Sequence, residues 1–120
     1  MLITPYTNRF HADTLANGGA TVDLDQHDLR QPEGRFYVGA GSRTWVHRIQ
    51  VKDFSPVFLA MLVAVAKSEG FRALGTWVRG DGYVLIEPTE VYTERQYARQ
   101  AAEEYGEQAY YDTVLGTIYL

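Results

Sequence analysis

Asp23, Asp25 and His27 are the first residues along this chain whose types and spacing could do chemistry together. Alternate positions on a strand project from one face, so two carboxylates and an imidazole in this row could offer oxygen and nitrogen ligands to a divalent ion. Three ligands from one strand span too wide a row to converge on an ion without help from elsewhere. The simpler expectation is the solvent side of a strand running into a turn at Gln26-His27-Asp28. His11 with Asp13 makes a second candidate cluster, and His47 could act as a general base because histidine is the side chain most easily poised near neutral pH. Neither has a partner identifiable in sequence. His47 shares its strand face with Trp45 and Ile49, which predicts a partly buried imidazole satisfied by a hydrogen bond. Ser42, Ser55 and Ser68 lie outside any nucleophile-elbow motif, and the absence of cysteine removes thiolate nucleophiles, disulfides and cysteine zinc sites together.

Gly39-Ala40-Gly41-Ser42-Arg43 could cradle a phosphate with its amides while Arg43 supplies charge. It lacks the dinucleotide fingerprint and the phosphate-loop lysine, and no helix opens directly after it, so a hairpin turn is the expected role. Glu87 and Glu90 bracket Pro88 at a strand end, a pattern that predicts a bend with solvated charges; an acid/base pair would need a cleft. These residues define one class of function, a small enzyme or ligand-binding protein using Asp23, Asp25 and His27 with a metal, or the 39–43 loop on a phosphorylated compound.

The second class is a binding module. The chain holds nine tyrosines and two tryptophans, and an exposed tyrosine combines a broad apolar face with one polar tip at small entropic cost. Tyr92, Tyr110 and Tyr119 cannot all point inward beside their neighbours. They are expected on a surface with Glu94, Glu103, Glu104 and Glu107, an acidic patch suited to a basic protein partner. This is the favoured expectation: a non-enzymatic, regulatory or inhibitory protein-binding module with no cofactor, able to form a homodimer through an exposed terminal strand.

The elements that must position these side chains follow from periodicity and punctuation. Thr7 is placed to cap a short helix through Phe10, Ala12 and Leu15 that ends at Asn17-Gly18-Gly19. Ala20 to Asp25 alternates as a half-exposed strand, with Val22 and Leu24 on one side. Arg35–Val38 and Thr44–Val51 are two β-rich runs expected to pair across the 39–43 loop. Ser55-Pro56 is a strong helix start, and the helix to Glu69 is apolar nearly all round, which predicts cover on more than one side. Phe71–Arg79 and Tyr83–Thr89 flank Gly80-Asp81-Gly82 as the clearest hairpin. Thr93 and Gln96 have capping-box spacing before a helix over about 94–105, with Tyr97, Ala98, Ala101, Ala102 and Tyr105 on its inner stripe. Gln108–Asp112 and Thr117–Leu120 read as a last hairpin or one bent strand. The order implies a single α+β domain over residues 1–120, an antiparallel-rich sheet covered by two main helices, about 55–69 and 94–105.

Composition bounds the setting. A chain of 120 residues with 46% hydrophobic and 22% charged side chains is that of one ordinary globular core. The longest apolar run, Val57 to Ala66, is half of the roughly 20 residues that cross a bilayer, and Met1 to Gly19 lacks the pattern of a signal peptide. No membrane association is expected, and the cytoplasm is the default location. Net charge is −4, with six basic and six acidic side chains in residues 1–60 but five and nine in residues 61–120. Only two lysines are present and the arginines are scattered, so direct binding to nucleic acid is not expected.

Gly18-Gly19-Ala20-Thr21, Gly75-Thr76-Trp77, Gly82-Tyr83-Val84-Leu85, Ala109-Tyr110-Tyr111-Asp112 and Gly116-Thr117-Ile118-Tyr119-Leu120 together resemble uncharacterised small proteins encoded in actinobacterial genomes, phages and other mobile elements. The resemblance covers most of the chain from Gly18 onward. It implies no catalytic residue and no cofactor; it implies an accessory role exercised by binding a host or element-encoded protein.

Overall fold

The structure, a computed structural model, describes residues 3–120. Its first helix, α1 (Pro5–Asn17), begins earlier than the sequence spacing predicts. Thr4, not Thr7, is the cap: its side chain accepts the Thr7 N–H at 3.2 Å, and Pro5 occupies the first turn where a missing donor is harmless. Thr7 is buried instead. Gly18, at φ 80°, closes the helix in the left-handed conformation open to glycine.

Strands β1 (Gly19–Asp23), β2 (Phe36–Gly39) and β3 (His47–Gln50) precede the second helix, α2 (Pro56–Ser68). Ser55 caps α2 by accepting the Phe58 N–H at 3.2 Å, as its position before Pro56 predicts. The chain continues through β4 (Ala73–Val78), β5 (Tyr83–Tyr92), α3 (Arg95–Glu104), β6 (Ala109–Asp112) and β7 (Gly116–Tyr119). The β4–β5 hairpin forms across Gly80-Asp81-Gly82 as expected, with Gly82 at φ 86°. β6 and β7 form the closing hairpin.

All pairings are antiparallel, and the strand order is β1-β4-β5-β2-β6-β7 with β3 also on β5. The α+β class with an antiparallel sheet is therefore as predicted. The expected β2–β3 hairpin is not. The two strands lie end to end along the same side of β5, β3 against Tyr83–Ile86 and β2 against Thr89–Tyr92. Between them residues 39–43 make a short 3-10 turn, Gly41–Arg43, that bulges past Glu87 instead of reversing the chain. A long central strand can satisfy both runs, so neither needs the other.

Among the described residues three helices cover the sheet, the two main ones expected and the shorter-predicted α1, and they share one face. Phe10 from α1 and Leu59, Leu62, Val63 and Ala66 from α2 pack on Val22, Leu74, Val84 and Ile86 in the main core. Ala98, Ala101 and Ala102 of α3 pack on Phe36, Val38 and Tyr110 in a second cluster. Val84, Ile86 and Pro88 of β5 point toward this layer, so Leu85, Glu87 and Thr89 point the other way.

Expectations about the helices hold in part. α2 is covered on more than one side, by the sheet and by α1, as expected, but not all round: Val57, Met61 and Val65 are exposed at 42–52% as a stripe along its outer side. The Thr93–Gln96 capping box does not form: Glu94 is the residue before the first turn of α3, with no side-chain cap, and Gln96 thereby falls one position short of the box. Tyr97 points to solvent, so the inner stripe of α3 is alanine with Tyr105 at its end. No helix among the described residues is long and apolar enough to cross a membrane.

Candidate functional site

With the helices on one face, the other face of the sheet is an open trough, part of a cavity of about 1170 Å³ whose lining also reaches Arg9, Asp13 and Asn17 of α1. Its floor follows from register. Glu87 lies opposite Gly75 of β4, Leu85 opposite Trp77, and Thr89 opposite Gly39 of β2, and antiparallel partners share a face. Thr21 of β1 lies beyond Gly75, while Tyr37 of β2 lies opposite Tyr111 of β6, their rings stacked at 6.0 Å. Glycine makes room for a side chain at the centre. A methyl group at Gly39 or Gly41 would overlap the Glu87 carboxylate, and the same point at Gly39 is 3.3 Å from the Glu107 Oε1. The two carboxylates therefore flank one spot on the floor.

Glu87 accepts the Gly41 N–H at 3.2 Å, and no arginine or lysine side chain bonds either carboxylate among the described residues. Burial raises the Glu87 carboxyl to about 7; Glu107 pushes in the same direction by like charge, and the Gly41 amide opposes both. Burial raises Glu107 as well. An aromatic ring stands on either side of this pair along the sheet, Trp77 and Tyr111, each 45% exposed. The assembly can accept a cation, which would be held by both carboxylates with its stem against an aromatic ring, or it can hold and release a proton near neutral pH.

The residues singled out in sequence are distributed differently. The Asp23 side chain is buried and accepts the Asp25 N–H at 2.9 Å, an Asx turn that ends β1. His27 turns edge-on to Tyr6. Among the described residues, no three His, Asp or Glu side chains gather as a metal would require. His11 stacks on Phe54 and meets its carbonyl oxygen at 3.1 Å. His47 is exposed on β3, edge-on to Trp45 and Phe58, and not partly buried as predicted. In the 39–43 segment the Gly41 amide is committed to Glu87, so an incoming phosphate would meet a carboxylate. Arg43 turns away to Glu104 at 3.6 Å and to the Tyr105 ring.

Glu87 and Glu90 project from opposite faces of β5. Glu90 lies under α3, where the Tyr105 hydroxyl donates to it at 2.6 Å and the Tyr92 hydroxyl also donates. Burial first, and then the Glu90 carboxylate, raise the Tyr92 phenol. Tyr92 thus bonds within β5, and the Tyr105 hydroxyl on the same carboxylate ties β5 to the end of α3. Tyr110 is buried edge-on to Phe36, which corrects its expected display. Glu94 stays exposed at the start of α3, Glu103 pairs with Arg99 at 3.0 Å, and Glu104 pairs with Arg43, so the acidic row along α3 is largely neutralised. Tyr119, 72% exposed, and Glu107 lie on the trough side of the sheet. The seven expected surface residues fall in separate places; Glu107 alone belongs to the carboxylate pair.

The pair itself was hidden in sequence because Glu87 and Glu107 sit on different elements. A partial signal existed in the alternation Leu85-Glu87-Thr89 against Val84-Ile86-Pro88, which sets Glu87 opposite the core. Comparison with protein-family models, with curated proteins and with solved structures finds no match to this chain.

Proposed function

We propose that this chain is a non-enzymatic protein-binding module, an accessory or inhibitory protein that receives a basic segment of another protein on the uncovered face of its sheet. The observation that carries this reading is the Glu87–Glu107 pair on the trough floor, raised by burial and with no arginine or lysine bonded to it among the described residues. A lysine or arginine entering there would replace the water both carboxylates have lost and lay its aliphatic stem along Trp77 or Tyr111. The same charge repels phosphate backbones, in keeping with a protein partner and not a nucleic acid. The resemblance to small proteins of actinobacteria, phages and mobile elements supports an accessory setting.

The test is a titration of isotope-labelled protein at pH 8, where Glu87 is ionised, with an arginine- and lysine-rich peptide and its glutamate-substituted counterpart. The basic peptide should shift the amides of Gly39, Gly41, Gly75 and Thr89, and the E87Q/E107Q double variant should bind about tenfold or more weakly, about 1.4 kcal/mol. Equal effects from both peptides, or none at the sheet face, would overturn the reading. One observation favours a second reading: a carboxyl poised near pH 7 in a concave site also fits general acid or base catalysis. Turnover of a small substrate by the native chain and not by E87Q would displace binding in its favour.

A further inference from the structure

Among the described residues, the outer edge of β7 is a free edge of the sheet that carries no charged side chain. At the opposite end of the sheet, the chain after β1 folds back so that the Asp23 N–H donates to the Arg30 carbonyl at 2.8 Å. The short edge of β3 carries His47 and Arg48. Residues 113–120, by contrast, contain no Lys, Arg, His, Asp, Glu or Pro, the residues by which proteins ordinarily protect an open edge. Exposed apolar side chains concentrate here as well: Val114 is 70% exposed, Leu115 62%, Tyr119 72% and Leu120 43%.

We infer that β7 is a self-association edge, and that two copies of this chain pair antiparallel along it about a two-fold axis through Ile118. The backbone dictates the register. The Leu120 N–H donates inward to the Gln108 carbonyl at 3.0 Å, and Ile118 lies opposite Tyr110, so Gly116, Ile118 and Leu120 direct their backbone groups toward β6. Thr117 and Tyr119 therefore direct theirs outward. A two-fold at Ile118 sets each Thr117 against Tyr119 of the second copy, and each such pair exchanges N–H and C=O in both directions. Their side chains, on the trough side, form cross-strand Thr–Tyr pairs. The occupant is a second copy because of charge: a chain of net charge −4 repels itself over most of its surface, and β7 brings no like-charged side chains together along this seam. The seam is short, with Tyr119 and Leu120 the exposed apolar side chains along it, and so falls below the roughly 800 Å² per partner of a standard interface. The dimer is accordingly concentration-dependent. An axis perpendicular to the sheet keeps both troughs on the same side, so the pair would present two carboxylate sites to one bivalent partner.

Sedimentation across protein concentration tests this without reference to any ligand. The native chain should pass from 13.6 kDa to twice that mass, with the Thr117 and Tyr119 amides becoming protected from hydrogen exchange as it does. T117P removes an outward donor without touching the β6–β7 bonds, and T117K places lysines across the seam; each should weaken the dimer about tenfold or more. M61E, on the exposed stripe of α2, should leave it unchanged. A chain that stays monomeric at the highest concentration overturns the inference, as does a dimer that survives T117K or is lost in M61E. If T117P fails to fold, T117K and the exchange of the two amides decide alone.

Discussion

Glu87 sits where a carboxylate is least comfortable, with the sheet beneath it and Glu107 beside it, and its protonation is therefore tied to stability. Its carboxyl rises from 4.5 to about 7 on folding. A group raised in this way favours the folded state fully below pH 4.5, and that contribution is lost as pH climbs through 7. Replacing Glu87 by Gln keeps an oxygen for the Gly41 amide and removes the titration. E87Q should therefore match the native chain near pH 4.5 and exceed it at pH 8 by on the order of 3 kcal/mol, read from denaturant midpoints at both values. A difference independent of pH would place the titrating group elsewhere. Asp112 responds in the opposite sense. Arg35, bound through two hydrogen bonds at 3.1 Å, lowers its carboxyl to about 2, with the Val114 and Leu115 amides assisting against burial. The support it gives is present above pH 3.8 and fades as pH falls toward 2. Together the two groups narrow the range of greatest stability to mildly acidic pH.

Helix capping separates local signals that held from one that did not. Ser55→Ala and Thr4→Ala should each cost about 1 kcal/mol, because each removes the acceptor of a first-turn amide. Thr93→Ala should stay within about 0.5 kcal/mol of the native chain in the same urea melts, since its side chain is exposed and caps nothing. A large loss at Thr93 would mean that the capping box forms in solution. The distinction shows what was legible in the sequence. Ser55-Pro56 and Gly80-Asp81-Gly82 specify their structures through neighbours a few residues away, and both formed as read. The pairing of β2 and β3 depended on β5, more than thirty residues downstream, and proximity in sequence pointed to the wrong partner. The site was obscured for the same reason: Gly39 and Gly41 read as a turn because the carboxylate that occupies the space beside them lies on a distant strand. Tyr110 was misplaced because alternation along β6 fixes which residues share a face but not which face meets α3.

At the scale of the molecule, one helical layer is asked to stabilise a sheet whose other side is wet, and it does so unevenly. The core under α1 and α2 contains Phe10, Leu59, Leu62, Leu74 and Ile86, large side chains buried to 5% exposure or less. The cluster under α3 is built on Ala98, Ala101 and Ala102, whose small side chains bury little area, with Phe36, Val38 and Tyr110 providing the rest. Apolar burial at about 25 cal/mol per Å² makes the second region the weaker one. The region is held by polar ties, Glu90 with Tyr92 and Tyr105, and Asp112 with Arg35 and Arg95. Those ties run to β2 and β5, so the region can open without exposing the main core. Native-state hydrogen exchange in low denaturant should show α3, β6 and β7 opening together, more readily than β4 and the first half of β5 by tenfold or more, about 1.4 kcal/mol. The measurement belongs at a concentration where the chain is monomeric, because pairing along β7 would protect the same hairpin. Exchange of α3 amides only through complete unfolding would show instead that the polar ties bind the two clusters into one cooperative unit.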